Sequence, residues 1–363
     1  MKQKKKICFI AQFPPPIHGL SKAVEMLYNS KLSKEFKFEK INITNNKNII
    51  KNIIKIWRSK ADLFYFTISQ TKGGNLRDLV IFKLLSMQKK KCLIHLHGGY
   101  YRQLVENDLP AWQKKANYKA ISNLEGAIVL GSSLKTIFEG MLPNEKIFIV
   151  PNCIDNQFLI SNDEFDRKVS FLNNKRILHV LYLSNFIKTK GYPEVLEMAR
   201  LEKEHVETDG EKRFHFDFAG KFFKESEKEF FENYVKEHDL QDYVTYHGIV
   251  GGQEKRDLLE LCDIFVLLTR YPNEGQPISI LEAMGNGMFI VTTDHAGIPD
   301  VVVNGENGLV VSGKPCLEKL LEDISVTREI LITNRHKIGN MFSEKGYLEN
   351  MGKIFSLLEG VKK

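Results

Sequence analysis

The chain has 363 residues, of which 43% are hydrophobic and 27% are charged. This length exceeds what one ordinary core accommodates and predicts about two domains. The composition excludes a disordered or fibrous protein, and no apolar run approaches the roughly 18 residues of a membrane-spanning helix. Five scattered cysteines, odd in number and without metal-ligand spacing, are typical of a reducing cytoplasm.

The net charge of +7 conceals an asymmetry between the two halves of the chain. Residues 1–160 contain 26 Lys and Arg against 11 Asp and Glu, and the remaining residues contain 26 against 34. A basic half suits nucleic acid, an anionic membrane or a phosphorylated substrate. A solvated, lysine-rich surface explains the same charge equally well.

The first apolar segment, 7–13, follows four lysines and resembles a secretory signal. It is too short for one and runs into Pro14-Pro15-Pro16, so we interpret it as the first β-strand of an unsecreted protein. Further strands in the first half are predicted at 62–68, 92–98, 126–131 and 147–152. Helices are predicted between them at 21–32, where Ser21 is the expected N-cap, and at 76–87.

The polar segment 156–175 is predicted to be a linker. A second series of strands follows it, at 176–184, 214–220, 243–248, 263–269, 288–293 and 308–311. Strands that alternate with amphipathic helices are typical of parallel sheets covered by helices. Two such series predict an α/β protein with two Rossmann-like lobes and a cleft between them.

Several common ligand-binding motifs are absent from the sequence. No GxGxxG follows the first strand and no GxxxxGK[ST] loop is present, which disfavours classical dinucleotide and P-loop chemistry. There is no Asp-x-Asp pair and no His/Cys cluster, so we expect neither a metal nor a cofactor.

The most informative stretch is 269–299, in which a strand is followed by a loop with Glu274 and then by a helix that Pro277 opens. A helix that starts at the carboxyl end of a parallel strand points its free N–H groups at the ligand cleft, where they suit phosphate. Glu274 and Glu282 are eight positions apart and can reach different parts of one elongated ligand. Alternatively, Glu274 caps the helix and Glu282 lies on the surface.

Around these glutamates the chain reads EGQPISILEAMGNG, followed by TTDHAGIPDVVVNGENGLVV, and PNCID stands at 151–155. This pattern resembles the Glu-x7-Glu signature of the retaining GT-B glycosyltransferases of family four, together with its flanking segments. The resemblance covers most of residues 176–312. It implies a GT-B fold with an acceptor-binding lobe at 1–165 and a nucleotide-sugar lobe at 166–343. A C-terminal helix at about 344–363 is expected to pack back on the first lobe.

The resemblance also implies roles for residues of the second lobe. Glu282 is expected to hold the ribose hydroxyls and Glu274 the hydroxyls of the donor sugar, while backbone amides near the helix start meet the sugar or the diphosphate. Those amides belong to the segment Gly275, Gln276, Pro277 and Ile278. Lys190 matches the lysine of the GRxxxxKG phosphate motif, but Asn185 stands in the arginine position. The guanidinium group that can bind phosphate through two parallel hydrogen bonds is therefore missing. Lys188 and Arg270 are candidates to supply the charge.

In the first lobe, Gly19 lies in the loop after the first strand, where the resemblance implies that the backbone approaches the donor diphosphate and the acceptor. His97 occupies the place of the histidine beside the donor sugar. His95, two positions earlier, is expected to be structural, and His18 is a weaker candidate to line the cleft.

The resemblance therefore implies a metal-independent retaining glycosyltransferase with His97, Glu274 and Lys190 as catalytic residues. Its donor would be a UDP- or GDP-sugar, and its acceptor a glycan or a polyprenyl-diphosphate-linked glycan of bacterial cell-surface polysaccharide synthesis. We expect a cytoplasmic protein that binds the inner, anionic face of the plasma membrane through its lysine-rich first lobe. A sugar-nucleotide-binding module with little turnover and a transferase for a soluble or phospholipid acceptor are the alternatives. No motif supports nucleic-acid binding.

Overall fold

The computed structural model describes residues 4–16 and 19–360, and they form two compact units, each built on a parallel sheet of six strands. The first unit comprises the described residues up to Asn152 together with the residues from Lys345 onward. The second unit comprises residues Cys153–Glu344.

The first sheet has the strand order β2-β1-β3-β4-β5-β6. Its strands are β1 Lys6–Ala11, β2 Lys37–Asn42, β3 Leu63–Thr67, β4 Cys92–His95, β5 Gly126–Val129 and β6 Ile147–Ile149. The α-helices of this unit are α1 Gly19–Asn29, α2 Ile49–Arg58, α3 Lys72–Met87, α4 Tyr101–Gln103 and α5 Ala111–Ser122, with α13 Glu344–Gly360 returning at the end of the chain. The central strands β1 and β3 consist almost entirely of buried apolar residues, as expected when helices cover both faces of a parallel sheet.

The second sheet has the strand order β12-β11-β10-β7-β8-β9. Its strands are β7 Leu178–Leu183, β8 Phe214–Ala219, β9 Val244–Tyr246, β10 Ile264–Leu267, β11 Phe289–Thr293 and β12 Gly308–Val311. The α-helices are α6 Asn162–Phe171, α7 Tyr192–Asp209, α8 Glu225–Glu237, α9 Gly252–Leu261, α10 Ile278–Gly285, α11 Leu317–Glu322 and α12 Arg328–Met341. Every predicted strand of both halves corresponds to a strand of the structure, and the two sheets also contain β2, which the sequence analysis did not predict.

The predicted linker 156–175 was wrong, because this segment contains a helix. Ser161 and Glu164 form a reciprocal capping box at its start, with the Ser161 side chain accepting from the Glu164 N–H. Phe165 and Val169 on α6 are buried in the core of the second unit. Residues 153–165, which the sequence analysis assigned to the first lobe, therefore cluster with the second unit.

The first helix also differs from its prediction. It begins at Gly19, so Ser21 lies inside it and is not the N-cap. The Ser21 side chain is buried, and its Oγ donates to the carbonyl of Pro16 at 2.9 Å. The hydroxyl therefore secures the proline segment that precedes the helix.

The C-terminal helix α13 packs into the core of the first unit. The Phe355 ring is fully buried and lies 6.3 Å from the Phe9 ring and 6.0 Å from the Tyr65 ring, measured between centroids. A segment that is remote in sequence thus completes the core around β1 and β3. In the described part of the chain, no helix combines the length and the apolar character needed to span a membrane.

Candidate functional site

The second sheet reverses its winding direction between β7 and β10. From β7 the chain proceeds to β8 and β9 on one side, and from β10 it proceeds to β11 and β12 on the other. The loops that leave the carboxyl ends of β7 and β10 therefore diverge and leave a crevice, which is where open α/β sheets bind ligands. The residues Lys190 and Glu274 follow β7 and β10 respectively.

Glu274 is buried although it lies in a loop, with only 8% of its surface exposed. Its carboxylate forms an ion pair with Lys190, with 3.1 Å between Oε2 and Nζ, and it accepts a hydrogen bond from Thr269 Oγ1 at 3.2 Å. The Thr293 hydroxyl in turn donates to the Thr269 carbonyl at 2.6 Å. The carboxylate is thus held at the carboxyl ends of β10 and β11 by groups that also pin its loop.

The position of Lys190 is fixed by close contact between the loop after β7 and the loop after β10. The Arg270 N–H donates to the Thr189 carbonyl at 2.7 Å, which joins the loop after β7 to the loop after β10. Gly191 follows with a φ of 87°, and a Cβ at this position would lie 2.7 Å from the Leu268 carbonyl oxygen. Only glycine fits both the left-handed backbone and the close contact. The ammonium also lies 5.1 Å from the centroid of the Tyr271 ring.

Glu282, on the second turn of α10, has a lysine partner of its own. It is buried, and its Oε1 lies 2.6 Å from Lys255 Nζ on helix α9. The Lys255 ammonium also sits over the Phe158 ring, 4.1 Å from its centroid. Lys255 could not be found from the sequence, because it lies in an ordinary amphipathic helix and only the tertiary structure brings its side chain to Glu282.

The backbone before α10 presents amide groups next to Glu274. Pro277 is the N-cap of α10, and no side chain caps the helix. In the described part of the chain, the N–H groups of Gly275 and Ile278 donate to no other residue. Gln276 is buried beside them, and the Gly275 carbonyl accepts from the Gly297 N–H at 2.8 Å. The segment is therefore rigid and has donors to offer an anion or a hydroxyl oxygen.

Asn185 and the two cations considered in its place do not join this cluster. Asn185 is exposed, and its carbonyl accepts a hydrogen bond from the Tyr182 hydroxyl at 3.0 Å. The Lys188 ammonium lies 4.7 Å from the centroid of the Phe230 ring, and the Arg270 guanidinium donates to the Gly313 carbonyl. Glu274 is therefore paired with Lys190 and not with Lys188 or Arg270.

The remaining predicted site residues belong to the first unit. The His97 ring stacks on the His95 ring, with 3.8 Å between centroids, just beyond the end of β4. His95 Nδ1 lies 2.6 Å from the Tyr65 hydroxyl. Burial, together with the nearby His97, holds the pKa of His95 well below its usual range. A neutral, buried His95 suits the structural role expected of it. Gly19 is the exposed first residue of α1, and His18 lies outside the described residues.

In the second unit, this geometry assembles two buried carboxylates, each with a lysine, and a row of amide donors at the crevice between β7 and β10. Carboxylates accept hydrogen bonds from neutral hydroxyls, and lysines and helix N-termini neutralise anions. The arrangement therefore suits a ligand that carries both hydroxyl groups and a strongly anionic group.

Residues 162–328 match the protein family described as Glycosyl transferases group 1. This segment is a glycosyltransferase group 1 domain. It contains both lysine–glutamate pairs, and the chain is similar to several bacterial proteins. It is 22% identical over 280 residues to an uncharacterized 41.2 kDa protein in the cps region of Klebsiella pneumoniae, which covers 75% of this chain and 71% of that protein. It is 27% identical over 135 residues to the amylovoran biosynthesis glycosyltransferase AmsK of Erwinia amylovora, over 36% of this chain but only 31% of AmsK.

Over nearly all of its residues, the chain is similar in structure to proteins that have been solved. The Anabaena protein HepE in complex with UDP covers 97% of this chain and 100% of its own, with a TM-score of 0.73 and 14% sequence identity. Sucrose-phosphate synthase from Thermosynechococcus elongatus gives a TM-score of 0.71 at 13% identity, over 98% of this chain and 99% of its own. At these identities the likeness concerns the fold. Together with the two parallel sheets, this likeness confirms the predicted α/β GT-B fold class.

Proposed function

We propose that this protein is a retaining, metal-independent glycosyltransferase of family four. It would move a sugar from a nucleotide diphosphate sugar to a hydroxyl group of an acceptor. The observation that carries the proposal is the pair of buried carboxylates, Glu274 and Glu282, each held by a lysine at the crevice between β7 and β10. A nucleotide diphosphate sugar has two sets of vicinal hydroxyls separated by a diphosphate, which matches this alternation of carboxylates and cations.

In the proposed mechanism, Glu282 accepts the ribose hydroxyls and Glu274 accepts hydroxyls of the donor sugar. Lys190 Nζ is 3.1 Å from Glu274, so one lysine can serve both the carboxylate and the diphosphate next to it. As the bond between the anomeric carbon and the diphosphate oxygen breaks, Lys190 and the amides of Gly275 and Ile278 stabilise the negative charge on the leaving group. The acceptor oxygen bonds to the same face of the anomeric carbon, and its proton passes to the leaving diphosphate.

The proposal also assigns His97 and Gly19 of the first unit to the donor and acceptor, as the resemblance implies. No side chain is required as a general base, because the leaving diphosphate takes the proton. A UDP- or GDP-sugar is the proposed donor. HepE was solved with UDP, which supports a nucleotide-binding role for the same fold.

For the acceptor we propose a glycan or a polyprenyl-diphosphate-linked glycan at the cytoplasmic face of an anionic membrane. Support comes from the relatives: AmsK is named for amylovoran biosynthesis, and the Klebsiella protein is encoded in a cps region. The lysine-rich first half of the chain suits both an anionic acceptor and an anionic surface.

Asn185 favours a second candidate, a sugar-nucleotide-binding module with little turnover. The arginine that would grip the diphosphate with two parallel hydrogen bonds is absent, and the exposed Asn185 cannot replace it. A transferase for a soluble or phospholipid acceptor is a further alternative. The test below distinguishes binding from transfer.

The first test measures melting temperatures with UDP, GDP, ADP and their common sugar conjugates. We expect one nucleotide to stabilise the wild-type protein by mass action. Glu282→Ala should weaken its binding by about ten- to a hundred-fold, because a charged hydrogen bond contributes about 1.5–3 kcal/mol. The matched control is Glu229→Ala, which removes an exposed carboxylate from α8 and should leave the shift unchanged.

Incubation with the stabilising sugar nucleotide then separates the two candidates. Sugar release or transfer that falls at least about a hundred-fold in Lys190→Met, measured at saturating nucleotide sugar, supports the enzyme. Binding without any release or transfer supports the module. If no nucleotide shifts the melting temperature, the donor site proposed here does not exist.

A further inference from the structure

Helices α2, α3 and α5 form one layer on the first sheet. They connect β2 to β3, β3 to β4 and β4 to β5, and these connections all proceed in the same direction across the sheet. Because parallel crossovers are right-handed, the three helices cover the same face. The layer is tied together by Gln88 Nε2, which donates to the Trp57 carbonyl at 2.9 Å, and by Asn75 Nδ2 on α3, which donates to Asn117 Oδ1 on α5 at 2.8 Å. We call the outer surface of these helices the α2–α3–α5 face.

The α2–α3–α5 face exposes large apolar side chains. Among the described residues of the first unit, nine large hydrophobic side chains are exposed, and seven of them lie on these helices. They are Ile50, Ile54, Trp57, Leu76, Val80, Met87 and Trp112, with exposures between 46% and 73%. On α2, Ile50, Ile54 and Trp57 are spaced as i, i+4 and i+7, so they form one stripe. The chain has two tryptophans, and both belong to this face.

The same helices carry charge of nearly one sign. Together they contain nine Lys and Arg and a single carboxylate, Asp78. Asp78 is buried and paired with Arg77 at 2.8 Å, so it contributes no negative charge to the surface. By contrast, seven exposed cations of these helices form no ion pair with any residue that the structure describes: Lys51, Lys55, Arg58, Lys72, Lys83, Lys115 and Lys119.

A groove between α3 and α5 continues the apolar surface inward. Its volume is about 720 Å³, and its apolar lining includes Leu79, Phe82 and Ala116. Lys83 and Lys119 also line it, one from each helix. An apolar groove flanked by lysines suits a hydrocarbon chain that ends in an anionic group.

We propose that the α2–α3–α5 face docks this protein on an anionic lipid bilayer. Trp57, Trp112 and the α2 isoleucines enter the headgroup region, the lysines contact lipid phosphates, and the groove receives an acyl chain. Tryptophan prefers this interfacial depth, and amphipathic helices with basic flanks bind in the plane of the interface. A bilayer fits better than a protein partner, because unpaired lysines of one sign need a diffuse anionic surface rather than individual carboxylates. This inference deepens the proposed membrane association and does not depend on sugar transfer.

Tryptophan fluorescence tests the proposal directly, because both tryptophans report on this face alone. Vesicles with 30% phosphatidylglycerol in phosphatidylcholine should shift the emission to shorter wavelength, and brominated lipids should quench it. The full-length chain should float with these vesicles at 0.1 M salt and not at 0.5 M salt, since salt screens the attraction. Pure phosphatidylcholine should produce neither effect.

Two sets of variants locate the contact. Replacing Lys51, Lys55 and Arg58 by Gln should lower vesicle partitioning by at least about tenfold. The matched control replaces Lys31, Lys34 and Lys37 by Gln, which makes the same charge change on exposed positions outside the layer and should alter partitioning much less. Ile54→Ser with Trp57→Ser should also reduce partitioning, whereas Ile149→Ser with Leu357→Ser, at exposed positions outside the layer, should not. Melting temperatures measured without ligand show whether each variant is folded.

Three results would overturn the proposal. The first is vesicle binding that is absent or indifferent to anionic lipid. The second is binding that the control variants reduce as much as the α2 variants do. The third is an emission shift that depends on protein concentration without vesicles, which would mean that a second copy of the chain covers the face. None of these results bears on nucleotide binding, so the proposed transfer reaction is judged separately.

Discussion

At the scale of single residues, the charged side chains inside the second unit are positioned by specific partners rather than by solvent. Asp217 on β8 is an example besides the lysine–glutamate pairs of the crevice. It is 2% exposed, and its two oxygens lie 2.7 Å from His179 Nδ1 and 2.7 Å from His247 Nε2. Burial raises the pKa of Asp217, but hydrogen bonds from the two histidines and the charges of His179 and His215 outweigh it, and the pKa is lowered to about 2.

This pKa predicts how stability depends on pH. The folded carboxyl titrates near 2 and the unfolded one near 3.8, so the stabilisation from Asp217 is complete above pH 4 and is lost as the pH falls from 4 to 2. It amounts to about 2 kcal/mol. Urea unfolding should show Asp217→Asn to be less stable than the wild type at pH 6, with the difference shrinking below pH 4. Asp239→Asn, at a side chain that is 81% exposed, should show no such pH dependence.

At the scale of elements, the candidate site depends on how closely the loop after β7 approaches the end of β10. Gly191 permits this approach, since its φ is 87° and the Leu268 carbonyl lies where a side chain would begin. Gly210, at the other end of α7, has a similar φ of 84° but open space around it. Alanine substitutions at these two glycines, which flank the same helix, therefore distinguish the cost of backbone strain alone from the cost of strain together with a steric clash.

We expect Gly210→Ala to cost about 1 kcal/mol, the strain of a left-handed alanine. Gly191→Ala should cost about 1–3 kcal/mol more, because the methyl group collides with a backbone that cannot yield cheaply. It should also move Lys190 away from Glu274 and weaken nucleotide binding, which Gly210→Ala should not do. Urea unfolding and nucleotide titration of both variants measure the two effects. Equal losses in the two variants would show that the contact with Leu268 is unimportant.

At the scale of the whole molecule, the chain begins and ends in the same unit. Residues from Lys345 onward belong with the first unit, and Phe355 packs there against Phe9, Phe36 and Tyr65. The second unit has its own large core, built from β7–β12 and their helices. Loss of the C-terminal helix contacts should therefore affect the stability of the first unit directly.

Phe355→Ala should destabilise the first unit by about 3–5 kcal/mol through the cavity that it leaves. Hydrogen exchange should then speed up at the amides of β1 and β3 while the amides of β7 and β10 change much less. Leu357→Ala is the control on the same helix, since Leu357 is 57% exposed and its removal should leave both sets of amides protected. Equal acceleration in both units would mean that they unfold as one.

The features of this protein that could be predicted are those with a local pattern in the sequence. The strands were found because a strand covered on both faces must be apolar throughout, and that pattern is local in sequence. Pro277 marked the start of α10 because the preference of proline for a helix start is also local in sequence. The helix α6 was not predicted, although Ser161 and Glu164 form a capping pattern at its start. Its polar composition led to the prediction of a linker instead.

Local patterns along the chain were enough to predict the α/β class, the two series of strands and the importance of Lys190, Glu274 and Glu282. Tertiary packing, in contrast, pairs Lys190 with Glu274 and Lys255 with Glu282, and it joins residues 153–165 to the second unit. It also brings both tryptophans into one layer with lysines. Burial and backbone propensity leave a pattern in a few neighbouring residues, whereas these contacts join residues from separate elements that come together only when the sheets and helices pack.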